Sequence, residues 1–393
     1  MARLRVQSVD ILRGVVMIIM ALDHVRDFFH NDSQLFSPED LARTDSVLFF
    51  TRWITHFCAP VFVFLAGTGS YLATRRGMTR AAVSRFLVTR GLWLVMVEMT
   101  FVLFAGTFNL SYRFVVWQVI WAIGWSMVAL AALVWIPWRV LLVFSVAMIA
   151  GHNALDGIRS AQFGSFGWLW KILHEGFAVI QLGGGRVAYV IYPLIPWIGV
   201  MAAGYCFGRV FDLDPVRRRR MLMWLGLALT GAFVGLRFLN VYGDPSPWSV
   251  QSDSLKTALS FLRASKYPPS LLYLLMTLGP SILTLSVLDR ISVRSWNPVL
   301  VFGRVPLFFY VVHWYVIHAT ALVFAWLRYG RVDFIFALPP ALSFVPPVYP
   351  TGYGYDLWIV YLVWMAIVAA LYPVCRWFAE VKARRRSAWL SYM

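Results

Sequence analysis

Charged residues are scarce in this chain, at 13% of its 393 residues, which is about half the share found in soluble proteins. The hydrophobic share is 60%. Together these values exclude an ordinary soluble domain and indicate an integral membrane protein. Acidic residues are rarer than basic ones, 18 against 35, so the formal net charge is +17. The basic residues stand in clusters between apolar segments, not in one patch interleaved with aromatics, so we expect no nucleic-acid partner.

Cysteine is also scarce, with only Cys58, Cys206 and Cys375, each inside an apolar segment. An odd number without metal-ligand spacing argues against a disulfide framework and a zinc site, so no metal is expected. We expect no cleavable signal peptide, because the apolar segment after residues 1–7 is too long and too charged. No internal repeat is visible, which removes the sequence support for an inverted-repeat transporter.

Long apolar segments dominate what remains. Ten of them are long enough to cross a hydrocarbon core of about 30 Å. They cover residues 8–29, 47–73, 91–109, 114–135, 138–152, 188–210, 221–240, 269–289, 304–327 and 355–378. The sequence therefore predicts an all-α polytopic membrane protein of about ten transmembrane helices, with one domain over residues 1–393 and a basic cytoplasmic tail at 379–393.

The basic clusters predict the orientation, because Lys and Arg are enriched in cytoplasmic loops. With ten spans, five separate clusters fall on one side of the membrane. They comprise Arg3 and Arg5, the five arginines from Arg75 to Arg90, Arg217 to Arg220, Arg290 with Arg294, and Lys382 with Arg384 to Arg386. Both termini are therefore predicted to be cytoplasmic, and the long connections 30–46, 153–187, 241–268 and 328–354 to lie outside.

The first span carries an unusual set of ionisable residues. Arg13 and His24 stand eleven positions apart, almost three helical turns, so they share one face about 16 Å apart. A charge near the bilayer centre costs roughly 2.5–3.5 kcal/mol, yet this span also holds Asp10, Asp23, Arg26 and Asp27. We expect it to face a polar interior, with His24 as a catalytic residue. Asp10, one turn before Arg13, offers a structural ion pair as the other interpretation of that arginine.

Other ionisable residues fall inside later spans. His56 is predicted in the outer half of span two, at the level of His24, and His313 near the middle of span nine. Both are candidates for a direct role, whereas a neutral histidine bonded to a backbone carbonyl is favoured for His318. Glu98 is expected to be a packing or charge partner.

Several sequence blocks resemble the heparan-alpha-glucosaminide N-acetyltransferase-like family. The first is Ser8 to Gly14, whose Arg13 begins the Arg-x10-His pattern of membrane acyltransferases that modify sugars. The others are His56 to Gly67, Tyr192 to Trp197, Gly204 to Arg209, Lys266 to Tyr273 and Arg304 to His313. The blocks span about three quarters of the chain, and their order and number make the resemblance fairly specific.

The resemblance implies a bundle of ten or eleven helices that takes an acyl group from cytoplasmic acyl-CoA, with acetyl-CoA the first choice, and transfers it to a glycan outside. His24 would then act as general base, oriented by Asp27 or Asp23, while a covalent acyl-histidine route stays open. Arg13, Arg304 and Arg76 would hold the CoA phosphates or pantetheine, although plain positive-inside topology also explains Arg75 and Arg76. His313, Gln118 and Tyr310 are candidate oxyanion stabilisers by their depth.

One departure from the family concerns the histidine itself. In the lysosomal member the position of His24 is not histidine, and its catalytic histidine lies between the first two helices. This chain has His30 there, and His56 slightly later. The implied partners are acyl-CoA, an external saccharide and membrane lipids in a bacterial plasma membrane, with homo-oligomerisation left open.

Two other functions compete with acyl transfer. A transporter or channel could use buried Asp, His and Arg to bind substrate or relay protons. A scaffold or lipid-binding protein is the third interpretation. Release of CoA thiol distinguishes acyl transfer from these two functions.

Overall fold

The computed structural model describes residues 6–75, 77–336, 349–385 and 390. It is 72% helical and contains eight helices that are long and apolar enough to cross a membrane. The prediction of an all-α polytopic membrane protein is confirmed. The orientation of the termini stays a prediction.

The helices follow one another along the whole described chain. Their bounds are α1 Gln7–Phe29, α2 Ser46–Thr55, α3 Cys58–Thr74, α4 Arg80–Val97, α5 Leu103–Thr107, α6 Val119–Leu133, α7 Trp138–Gly151, α8 Gly167–Leu173, α9 Leu194–Phe207, α10 Pro215–Leu239, α11 Ser254–Leu262, α12 Leu271–Leu288, α13 Pro298–Arg304, α14 Pro306–Tyr329 and α15 Leu357–Arg384. A π-helical turn, Glu98–Val102, joins α4 to α5. Short 3-10 turns lie at Asn31–Gln34, His152–Leu155, Ser160–Phe166, Gly208–Asp212 and Asp333–Phe336.

All ten predicted spans correspond to helical segments. Eight of them are the membrane-length apolar helices, at Ser46–Thr74, Arg80–Thr107, Trp138–Leu155, Leu194–Asp212, Pro215–Leu239, Leu271–Leu288, Pro306–Tyr329 and Leu357–Arg384. The ninth is α1, which carries five Asp and Arg residues. The tenth is α6, an apolar helix of 15 residues.

A small three-stranded sheet replaces helix at two predicted span ends. Its strands are β1 Phe114–Trp117, β2 Ala178–Gly183 and β3 Arg186–Val190, in the order β1-β3-β2. The predicted spans 114–135 and 188–210 therefore begin too early, because Phe-Val-Val-Trp and Val-Ala-Tyr-Val are as typical of strands as of apolar helices. Gly183, Gly184 and Gly185, which all have positive φ, make the tight β2–β3 turn.

The chain divides into two compact units, each built from separate segments. Unit 1 comprises Met1–Leu12, Ala59–Met99 and Val115–Ser292, and unit 2 comprises Arg13–Cys58, Thr100–Phe114 and Val293–Met393. The predicted histidine candidates of α1, α2 and α14 all belong to unit 2.

Close helix contact in unit 1 depends on small residues. A Cβ atom at Gly67 of α3 would lie 2.0 Å from the backbone oxygen of Met201 in α9, and one at Gly204 would lie 2.1 Å from that of Phe64. Small residues at such crossings let two membrane helices approach closely.

We therefore expect Gly67→Leu to lower the free energy of unfolding by about 1–3 kcal/mol or more, since the α3 and α9 backbones must separate. Thermal unfolding in detergent measures this effect. Gly69→Leu is the matched control, because a Cβ at Gly69 would meet no described atom within 4 Å. Equal unfolding midpoints for the two variants would contradict the crossing.

The connection after α10 in unit 1 is organised by one buried arginine. Arg237, 1% exposed, donates hydrogen bonds to the backbone oxygens of Phe261, Ser246 and Ser260, each at 3.0 Å, and to that of Arg263. Asp244 lies 4.0 Å from Nη1 of Arg237. It also accepts hydrogen bonds from Ser265 and Ser270. A buried ion pair thus closes the predicted outer loop 241–268.

Candidate active site

The candidate active site in unit 2 is centred on two histidines and a tryptophan. His24 comes from α1, and His313 and Trp314 come from α14. The ring centroid of His24 lies 4.0 Å from that of Trp314 and 5.3 Å from that of His313. Two of the five predicted catalytic residues are therefore brought together, and Trp314, which sequence reasoning missed, packs against His24.

The hydrogen bonds of His313 define its tautomer. Its Nδ1 lies 3.1 Å from the backbone oxygen of Phe309 and 2.5 Å from that of Tyr310. Carbonyl oxygens only accept hydrogen bonds, so Nδ1 carries the proton, and in the neutral ring Nε2 carries the lone pair. Nε2 is buried and has no hydrogen-bond partner among the residues that the structure describes. The neutral imidazole thus presents an unprotonated nitrogen inside unit 2.

The exposure of side chains near the end of α1 is confined to one face. Residues 20–30 are all buried except His24 and Asp27, which are partly exposed. These two residues are three positions apart and therefore share a helix face. A ligand that reaches this part of α1 would meet the His24–Asp27 face.

The two predicted orienting carboxylates lie in a compact ion-pair cluster. Oδ1 of Asp27 is 2.6 Å from Nη2 of Arg26, and Oδ1 of Asp23 is 3.0 Å from the same nitrogen. Asp23 also accepts a 2.5 Å hydrogen bond from Arg52 of α2. This quartet is formally neutral, and its two arginines were not among the predicted site residues. The role of Asp23 and Asp27 as orienting groups for His24 stays a prediction.

His56, the residue directly after α2, has a carboxylate beside it. It is 1% exposed, and its Nε2 lies 2.6 Å from Oε1 of Glu39. A carboxylate at one ring nitrogen fixes the tautomer and orientation of a histidine, so His56 stays a candidate for a direct role. Glu39 was missed because it falls in a loop without a motif.

His30, the other histidine near α1, is used structurally. Its Nδ1 accepts the backbone N–H of Asp32 at 3.2 Å and so caps the 3-10 turn that follows. Burial, and to a lesser extent the charge of Arg26, lower the pKa of His30 against the opposing pull of nearby carboxylates. In the neutral ring the lone pair on Nδ1 is occupied by this bond, which leaves none for general-base work.

The lowered pKa of His30 predicts a pH-dependent stability. Since the folded state binds this proton less readily than the unfolded one, the stabilisation is complete above the ordinary value of 6.5 and declines as the pH falls below it. We expect thermal unfolding scans from pH 7.5 to 5 to show a smaller loss of stability for His30→Asn, whose amide oxygen can keep the cap. An unchanged pH slope would contradict this assignment.

Two of the three predicted CoA-binding arginines, Arg13 and Arg304, lie in one region of unit 2. Nη1 of Arg13 donates a hydrogen bond of 3.3 Å to the backbone oxygen of Gly303. Gly303 directly precedes Arg304 in the chain. Arg304 itself donates to the backbone oxygen of Ser295 at 3.2 Å. Unit 2 therefore brings the α1 and α13 arginines into one region. Arg76 lies outside the described residues.

The other predicted polar residues have structural contacts. Nδ1 of His318 lies 2.8 Å from the backbone oxygen of Ala105, and its ring stacks on Phe108 with centroids 4.1 Å apart. This contact is the carbonyl bond expected for His318. In unit 1, the carboxyl group of Glu98 accepts the backbone N–H of Gln118, the residue directly before α6.

A cavity of about 680 Å³ lies in unit 1, bordered by the first turn of α1, the end of α3 and the start of α10. Its two arginines are already paired: Arg75 with Asp212 at 2.8 Å and Arg218 with Asp289 at 2.9 Å. Asp214 adds a third carboxylate, so the lining carries more negative than positive charge. These pairs favour a structural role for Arg75 and make this cavity a poor phosphate site.

The fold and the histidine cluster define a polytopic membrane protein with an ionisable site held by its helices. Residues 5–247, well over half of the chain, match the family model of the heparan-alpha-glucosaminide N-acetyltransferase catalytic domain. The chain belongs to this family, and the resemblance found in its sequence blocks is confirmed. No curated protein matches the chain in a direct search. The matched segment contains Arg13, His24 and His56 but ends before Arg304 and His313.

Proposed function

We propose that this transmembrane acetyltransferase moves an acetyl group from cytoplasmic acetyl-CoA to a hydroxyl or amine of a saccharide outside the membrane, in a bacterial plasma membrane. The family match supports acetyl transfer by a membrane enzyme in general. The observation that supports the finer proposal is the contact of His24 with His313 and Trp314, on a face of α1 where His24 and Asp27 are partly exposed.

His24 is the general base of the proposed reaction. It takes the proton from the acceptor O–H or N–H while the acceptor atom attacks the thioester carbonyl. The tetrahedral intermediate then expels the CoA sulfur, and the proton passes from His24 to that thiolate. Its partial exposure allows His24 to meet the acceptor, whereas His313 is fully buried. A positioned base of this kind contributes about 10²–10⁴ in rate.

His313 supports His24 and does not bind the oxyanion. An oxyanion stabiliser must donate a hydrogen bond, yet the neutral tautomer of His313 has no proton on Nε2, because its Nδ1–H is held by two carbonyl oxygens. The ring can instead accept a hydrogen bond at Nε2. An acyl group carried transiently on a histidine nitrogen is the alternative route.

Arg13 and Arg304 hold the CoA side of the reaction in this proposal. Both are partly exposed, and their shared region in unit 2 offers guanidinium donors for phosphate or pantetheine oxygens.

Arg304→Gln is therefore expected to weaken acetyl-CoA binding about 10–100-fold, which corresponds to the loss of a charge-assisted hydrogen bond of roughly 1.5–3 kcal/mol. Titration calorimetry with detergent-purified protein measures it. Arg294→Gln is the control, because it removes a basic residue of the predicted cytoplasmic cluster formed by Arg290 and Arg294. Equal affinities for the two variants would remove Arg304 from the CoA site.

The proposed function is tested by thiol release. Purified protein in detergent is given acetyl-CoA with a glucosamine disaccharide, and CoA thiol and acetylated sugar are quantified together. Acetyl transfer yields both in equal amounts. A transporter would release neither, and its saccharide would be recovered unmodified.

A further inference from the structure

Arg26 is a buried arginine whose hydrogen bonding is incomplete. Only 5% of its side chain is exposed, and its Nη2 donates to Oδ1 of Asp27 at 2.6 Å. Its Nε and Nη1 are buried and have no hydrogen-bond partner among the described residues. Buried guanidinium groups normally have their hydrogen bonds satisfied, because an unmade bond leaves a buried charged group without the water it has lost. The incomplete bonding points to oxygens supplied by a ligand.

The position of the two unsatisfied nitrogens restricts that ligand. A carboxylate or phosphate binds arginine through two N–H groups on one edge of the guanidinium, either Nε with Nη2 or Nη1 with Nη2. Both edges include Nη2, which Asp27 already occupies, with Asp23 only 3.0 Å away. Nε and Nη1 do not share an edge. They therefore suit two separate oxygens, such as sugar hydroxyls, better than one bidentate anion.

The charge around Arg26 agrees with a neutral ligand. Asp27 and Asp23 balance Arg26 and Arg52, so the quartet has no net positive charge to attract an acid. Asp27 is the exposed member, with 38% of its side chain accessible. Its carboxylate can accept a hydroxyl hydrogen while Arg26 donates to hydroxyl oxygens.

We propose that Arg26 and Asp27 bind neutral hydroxyl groups of the acceptor saccharide and so position it beside His24, which shares the exposed face of α1 with Asp27. The inference rests on the proposed acetyl transfer. It assigns acceptor binding to Arg26, a residue outside the predicted catalytic set. The groups that Arg26 binds are hydroxyls of the saccharide, not acidic groups.

The test compares Arg26→Lys with wild-type protein using two acceptors, a glucosamine disaccharide and its counterpart with glucuronic acid. Lysine keeps the charge but loses the separate Nε and Nη1 donors. The acceptor KM is expected to rise about 10–100-fold for both sugars, with acetyl-CoA affinity unchanged. Arg43→Lys, at an exposed arginine paired with Asp40, is the control and should leave both constants unchanged.

Each result decides the inference. An unchanged acceptor KM in an active Arg26→Lys protein overturns it while the proposed function stands, and a rise confined to the glucuronic acid sugar replaces hydroxyl recognition with anion binding. If wild-type protein transfers no acetyl group, calorimetric binding of the glucosamine disaccharide is compared instead. Binding that Arg26→Lys abolishes then supports the saccharide site without the acetyl transfer, and absence of binding to wild type overturns both. The acceptor KM of Arg26→Lys is interpreted only if this variant still binds acetyl-CoA. If Arg26→Lys does not bind acetyl-CoA, Arg26→Gln is tested in the same way.

Discussion

The His24→Ala variant is expected to transfer acetyl groups about 10²–10⁴-fold more slowly than wild type while keeping its affinity for acetyl-CoA. The loss falls on kcat because the imidazole is used while the acceptor proton is removed, not when the donor binds. His24 contacts Trp314 and His313 through its ring, so the alanine also leaves a small gap. Single-turnover measurements with saturating acetyl-CoA give the rate directly.

A matched control separates chemistry from packing. His318→Gln replaces a buried histidine of helix α14, the helix that also carries His313, and its Nδ1 is bonded to the backbone oxygen of Ala105. It should change stability but keep the transfer rate within about threefold of wild type, less than the smallest loss expected for a positioned base. If both variants lose activity equally at temperatures where both are folded, His24 is a structural residue.

Replacing Arg237 by methionine should give the largest loss of stability, about 3–5 kcal/mol, because the change leaves a buried Asp244 without its partner and four backbone oxygens without their donor. Asp244 is 1% exposed at its side chain, so water does not readily replace the arginine. The unfolding midpoint in detergent measures the loss, and proteolysis within residues 241–268 reports whether that segment loosens first.

Arg220→Met, at an exposed arginine of the same helix α10, is the control for loss of charge. Its midpoint should stay near that of wild type, since exposed charges contribute little. The double variant Arg237→Met with Asp244→Asn removes both buried charges and should recover part of the loss. A midpoint of Arg237→Met equal to that of Arg220→Met would contradict the buried network.

The sequence located the membrane helices well where hydropathy and chain geometry agree. Span 269–289 was predicted within two residues of the observed Leu271–Leu288. Where basic residues enter a helix, hydropathy begins too late: α4 starts at Arg80, eleven residues before the predicted span, and α10 starts at Pro215, six residues early. Positive charges tolerated at a helix end mark the membrane boundary, not the end of the helix.

The individual residues of the site could be predicted from the sequence, but the contacts between them could not. His24 and His313 were selected because ionisable side chains in apolar spans are functional by default, yet 289 residues separate them and no pattern pairs α1 with α14. The ion pairs of Arg26 and Arg52 were missed for the same reason, since charge on a single span does not reveal which neighbouring helix balances it. The tautomer of His313 depends on carbonyl positions that only the structure provides.

The proposal of acetyl transfer across the membrane is tested most directly in sealed vesicles. Protein reconstituted with acetyl-CoA on one face and the glucosamine disaccharide on the other should release thiol on the donor face and acetylated sugar on the acceptor face, in equal amounts. His24→Ala vesicles should bind acetyl-CoA and produce neither. Unmodified disaccharide accumulating on the donor face, without thiol, would contradict acetyl transfer and establish transport.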